Sequence, residues 1–103
     1  VVSLCYIDPA LVDRASAISA EYSWAHGGPI DYGDPAAIGI DNVMKPELGD
    51  PPVTTQGPAM FWSCEVIPQD ALAAVKPPIC ITHTPGRMLV TDIDDTTNAF
   101  LNP

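Results

Sequence analysis

Positive charge is what this chain has least of. Four basic residues, Arg14, Lys45, Lys76 and Arg87, stand against thirteen acidic ones, for a formal net charge of -9. A nucleic-acid partner needs clustered Lys and Arg to displace counterions, and these four are scattered. Nucleic acid is therefore excluded as a partner, and an anionic membrane surface with it. The acidity reads as solubility. Any anionic ligand must be met by a few local donors.

Other absences narrow the field. No stretch approaches the roughly 18 consecutive apolar residues of a membrane span. The opening VVSLCYI is too short for a signal peptide and lacks its cationic flank. Cys5, Cys64 and Cys80 form no CxxC pair. A disulfide framework and a zinc site both want paired spacing, so buried, reduced cysteines in an intracellular protein are expected. The expected compartment is the cytoplasm, or the mitochondrial matrix in a eukaryote. No HxxxH spacing or carboxylate cluster demands a metal, no GxGxxG or phosphate loop is present, and no cofactor is implied.

What is present suffices for one domain with one core: 103 residues, 47% hydrophobic and 17% charged. Twelve prolines predict many ordered turns and short elements. Val1 lies directly inside a strand-like run, which points to a longer or processed chain.

Val1 to Ile7, apolar and rich in β-branched residues, predicts a buried strand. Asp8-Pro9 supplies a cap and a first-turn proline. Leu11, Ala15, Ile18 and Tyr22 then recur at helical spacing, giving a helix over 9–23. HGGPIDYGDP reads as irregular loop, and Asp34-Pro35 opens a short helical turn through Ile38. Lys45 to Pro58 is a second, proline-rich connection. AMFWSCEV predicts a central strand, and residues 68–76 a short helix stopped by Pro77-Pro78. Ile79–His83 and Met88–Ile93 predict a hairpin across Thr84-Pro85-Gly86-Arg87. The sum is an α+β domain, with helices packed on one face of a mixed or antiparallel sheet and a C-terminal β-hairpin.

Three polar strings carry candidate chemistry. In WAHGGPIDYGDP, His26 adjoins Gly27 and Gly28, which could bring backbone N–H groups to an anion. Asp34 opens a helical turn, where anions are favoured. The plain alternative is an exposed His26 and a merely capping Asp34. In FWSCEVIPQ, Cys64 would be a nucleophile only with a histidine close in space, and a structural cysteine explains it as well. Gln69 could donate to a carboxylate, cap a helix or face solvent. In ICITHTPGRMLVTD, a four-residue loop places His83 on the face of Ile81 and Val90. Such an apolar setting suits a neutral general base, and Arg87 across the turn could grip a carboxylate. A solvated hairpin tip is the competing reading.

Together these strings resemble one family, the hydro-lyases related to D-glutamate cyclase. That family carries HG-P--IGDPAALGI, FWACGVTPQ and PP--ITHAPGHM-VTD in the same order and at similar separations. VVSLCYIDPALV is also similar to its VVSMRPLP--LV opening. The likeness covers nearly all 103 residues but only the C-terminal portion of a longer, two-part family chain. It implies an α+β second domain and water elimination or addition on a small amino-dicarboxylate, such as D-glutamate and 5-oxo-D-proline. The implied partners are that carboxylic acid and the remainder of its own chain or a companion chain.

On that resemblance the expected catalytic residues are His83, His26 and Asp34. Cys64, Gln69, Thr82, Arg87, Gly27 and Gly28 are expected to bind substrate. Two positions depart from the family strings: Arg87 stands where PGHM has histidine, and Glu65 where CGV has glycine. A family-derived domain that binds a ligand or partner without catalysis is the alternative they raise.

Overall fold

A computed structural model describes residues 1–87 and 90–92. Its centre is a three-stranded antiparallel sheet in the order β1-β3-β2, formed by β1 (Val2–Tyr6), β2 (Asp31–Gly33) and β3 (Ala59–Ser63). Val2 pairs with Ser63 and Tyr6 with Ala59 on one side of β3, while Asp31 pairs with Phe61 on the other. The α+β class and the central place of the AMFW run are as expected.

That run is continuously apolar, the pattern of a strand covered on both faces. Successive strand residues point to opposite faces, yet Met60 and Phe61 are both fully buried. Together with Ala59 and Val66 they form the fully buried core among the described residues. Val66 is buried only after the chain has left the sheet, since β3 ends at Ser63 rather than continuing to 66.

The first helix begins later than its cap predicts. Asp8 accepts the Ala10 N–H at 2.9 Å and Pro9 follows, but these open a 3-10 turn over Pro9–Leu11. α1 then runs over Val12–Glu21, with Leu11 (φ -106°, ψ -4°) as its N-cap. The second helix, α2, occupies Ile67–Val75 and ends at Lys76 in the left-handed region. Neither helix contributes a fully buried residue. Among the described residues no helix is long and apolar enough to cross a membrane.

Three expectations change. The stretch 26–35 is not wholly irregular, because Asp31–Gly33 pairs with β3 and the Ile30 N–H donates to the Phe61 carbonyl at 2.8 Å. The cysteines are free but not buried: Cys5 and Cys80 are exposed and Cys64 is half-buried. Residues 79–83 form no strand. The turn that follows them does form, with the Arg87 N–H donating to the Thr84 carbonyl at 3.1 Å. Residues 88, 89 and 93 of the expected second arm lie outside the described residues.

Candidate active site

His26 occupies the best-defined polar arrangement. After α1 the chain turns back, and the N–H groups of Ala25 and Gly27 both donate to the Tyr22 carbonyl, at 3.0 and 3.1 Å. This turn carries the imidazole to the end of β3. There Nδ1 donates to the Ser63 carbonyl, and Nε2 lies 2.6 Å from Oε2 of Glu65. Both side chains keep contact with solvent, His26 at 38% exposure and Glu65 at 54%.

The hydrogen on Nδ1 follows from its acceptor. A carbonyl oxygen only accepts, so Nδ1 carries a hydrogen. Nε2 is the ring atom that faces the Glu65 carboxylate. The ring is fixed in orientation by the main chain on one side and joined to a carboxylate on the other.

Glu65 in turn lines an open groove of about 930 Å³. The β3-to-α2 turn that carries it is anchored by Ser63 in the sheet and by buried Val66. The Ile67 N–H donates back to the Cys64 carbonyl at 3.1 Å, closing that turn. Cys64 and Arg87 share the groove with Glu65, and so does Lys45. Lys45 and Arg87 line it together with five carboxylates, those of Asp31, Asp41, Glu47, Asp50 and Glu65, so acid outnumbers base in its walls. The Arg87 guanidinium stands 4.0 Å from the Asp50 carboxylate, with both side chains well exposed.

Arg87 reaches this wall because its turn rests on the loop before Asp50. Gly86 and Gly49 touch backbone to backbone, and a Cβ added to Gly86 would lie 2.9 Å from the Gly49 Cα. Gly86 also has φ +76°, in the region that side chains disfavour. Two segments distant in sequence thus meet in the groove's lining through a contact that only glycine permits.

The remaining expected residues sit elsewhere. Asp34 accepts the Ala36 N–H at 3.0 Å and caps the 3-10 turn Pro35–Ile38, the plain alternative for this residue. Gln69 donates through Nε2 to the His83 carbonyl at 3.0 Å, so its amide fixes the main chain of the 82–84 segment. His83 is half-buried, and its Nδ1 donates to the Thr84 carbonyl at 3.1 Å. The apolar setting expected for it is not present: Ile81 and Val90 are 93% and 80% exposed, because residues 79–83 form no strand to hold them inward. Thr82 is exposed. The Gly27 N–H is taken by Tyr22, and Gly28 packs against Ala20. Asp34, Gln69, Thr82 and His83 do not line the groove. Sequence reasoning noted Glu65 as the neighbour of Cys64 on the opposite strand face and as a departure from the family string, and did not place it among the site residues.

Comparison with known proteins agrees across almost the whole chain. The sequence model of the D-glutamate cyclase family matches residues 1–92. A protein of Jannaschia sp. (strain CCS1), named "Putative hydro-lyase", is 46% identical over 94 residues, covering 90% of this chain and 35% of that protein. One of the same name from Corynebacterium glutamicum (strain R) is 45% identical over 96 residues, covering 92% and 36%. Another from Syntrophobacter fumaroxidans is 43% identical over 102 residues, covering 98% and 39%. The chain thus spans little more than a third of the length of these relatives. No solved structure matches it.

Proposed function

The chain belongs to the D-glutamate cyclase family, and from that membership we propose that it is the part of a hydro-lyase that binds and dehydrates a small amino-dicarboxylate. D-glutamate, closing to 5-oxo-D-proline with loss of water, is the substrate pair, and the reverse hydration uses the same groups. The observation that carries this reading is the match of the family's sequence model to residues 1–92. In the groove, Lys45 and Arg87 are the cations available to the substrate's carboxylates and Glu65 is one of five carboxylates available to its ammonium, with Arg87 and Glu65 particular to this chain because the family strings have histidine and glycine there.

Lactam closure asks for a neutral amine, a polarised carboxyl carbon and a proton for the departing oxygen. Of the three expected catalytic residues, His26 is connected to the groove, through Glu65. Asp34 supports the site by capping the Pro35–Ile38 turn, and Gln69 by holding the segment of His83. Cys64 lines the pocket without a covalent role. The relatives' additional chain supports a further element: a domain equivalent to their unmatched portion covers the exposed apolar side chains of Ile79, Ile81 and Val90.

The test is incubation of the full-length protein with D-glutamate and, as control, L-glutamate, with 5-oxoproline followed by NMR. Formation from the D-enantiomer supports the reading. Thermal stabilisation by D-glutamate without turnover moves it to the alternative, ligand binding without catalysis. The departures at Arg87 and Glu65 favour that alternative, and so does the contact of Arg87 with Asp50, which partly offsets the cation.

A further inference from the structure

We propose that Glu65, which stands where the family strings have glycine, is an acid–base residue particular to this chain that faces the ligand in this groove, and that His26 stands behind it as the relay that holds its proton; this rests on the hydro-lyase reading above. Three observations place the roles in that order. Glu65 lines the groove and His26 does not. His26 lies instead in a separate shallow depression with Tyr22 and Trp62. The Ser63 carbonyl occupies Nδ1, so the ring can exchange a proton only through Nε2, and Nε2 is the atom against Glu65.

The pair suits the proton traffic of lactam closure. Closing D-glutamate forms one C–N bond and breaks one C–O bond, and two hydrogens leave the nitrogen as the departing oxygen gains two. The pair gives its shared proton to the departing carboxylate oxygen and regains one from the substrate nitrogen. A second exchange of the same kind completes the water molecule and returns the pair to its starting state. Nothing is oxidised or reduced, and no proton is drawn from solvent. His26 makes the exchange repeatable, because Nε2 holds the proton while the carboxylate oxygen turns from one substrate atom to the other.

The rigidity of the mounting favours the same assignment. Glu65 sits in a short turn held at both ends, by the sheet pairing of Ser63 and by the burial of Val66. A reacting group on such a support keeps its distance from a bound ligand, where one on a free loop does not.

The experiment compares full-length wild-type protein with Glu65→Gln and His26→Gln, measuring kcat and KM for 5-oxo-D-proline formation and long-range 1H–15N spectra of the imidazoles. Glu65→Gln keeps the shape but loses the titrating oxygen. It is expected to lower kcat by about 100-fold or more with KM changed less than about threefold. Its amide would donate to Nε2, so the His26 ring should change to the neutral form protonated at Nδ1 alone. His26→Gln is expected to lower kcat less, by about tenfold, because the carboxylate remains. Full turnover in Glu65→Gln overturns the catalytic role of Glu65 and leaves the hydro-lyase reading standing. An unchanged His26 spectrum in that variant overturns the relay. No turnover by the wild-type protein overturns the hydro-lyase reading, and the role of Glu65 with it.

Discussion

Gly49 and Gly86 meet with no side chain between them, and that contact holds Arg87 at the groove. Gly86→Ala would place a methyl 2.9 Å from the Gly49 Cα at a residue with φ +76°. Both terms act against the folded state, and the expected loss is about 1–3 kcal/mol. A fall in the thermal midpoint together with weaker binding of D-glutamate is the expected result. A midpoint equal to wild type would show that the turn is not held there.

The binding cations can be tested separately. Lys45→Ala and Arg87→Ala should each weaken D-glutamate binding by about three- to tenfold, in the range of solvent-exposed charge-assisted contacts. Calorimetry at two salt concentrations is the measurement, because the loss should shrink as salt rises. Equal loss at high and low salt would point to a change of shape rather than of charge.

Thiol reactivity gives a readout that needs no turnover. Cys5 and Cys80 are exposed, while Cys64 is half-buried in the groove wall. Alkylation should therefore reach Cys5 and Cys80 first. Saturating D-glutamate should slow Cys64 alone, as followed by peptide mass spectrometry. Protection of all three would mean that the ligand acts on the fold and not at the groove.

The small core makes one side chain decisive. Phe61 is fully buried at the centre of β3, between both edge strands. Phe61→Ala should cost about 3–5 kcal/mol, a large part of what a domain of this size has to spare. Loss of a cooperative thermal transition by circular dichroism is expected, with Phe61→Leu retaining one.

Asp34 separates support from chemistry. Removing its cap by Asp34→Ala should cost about 1 kcal/mol, and Asp34→Ser should restore most of it. Turnover per folded molecule should be the same in both. A loss of kcat in Asp34→Ser would return Asp34 to the catalytic group.

The elements legible in the sequence were those whose signals are local. Asp8-Pro9 and Asp34-Pro35 both became capped turns, and the unbroken AMFW run became the central strand. Asp31–Gly33 was not legible, because a three-residue strand owes its form to the partner it pairs with and not to its own composition. The candidate site divided in the same way. His26 stood out by its Gly-Gly neighbours, but its partner Glu65 lies far along the chain, and no spacing rule links them. His83 drew attention through a strand pattern that the described backbone does not adopt.

The strand order also sets a timetable for folding. β1 and β2 do not pair with each other, since among the described residues each bonds only to β3. During synthesis Val2 must wait for Ser63, and Asp31 for Phe61, before either has a partner. The same late segment closes the polar arrangement, because Ser63 and Glu65 are what His26 binds. Sheet and candidate site are therefore completed together, by the arrival of one short stretch, and a ribosome paused before it would carry two unpaired strands and a histidine with nothing to hold.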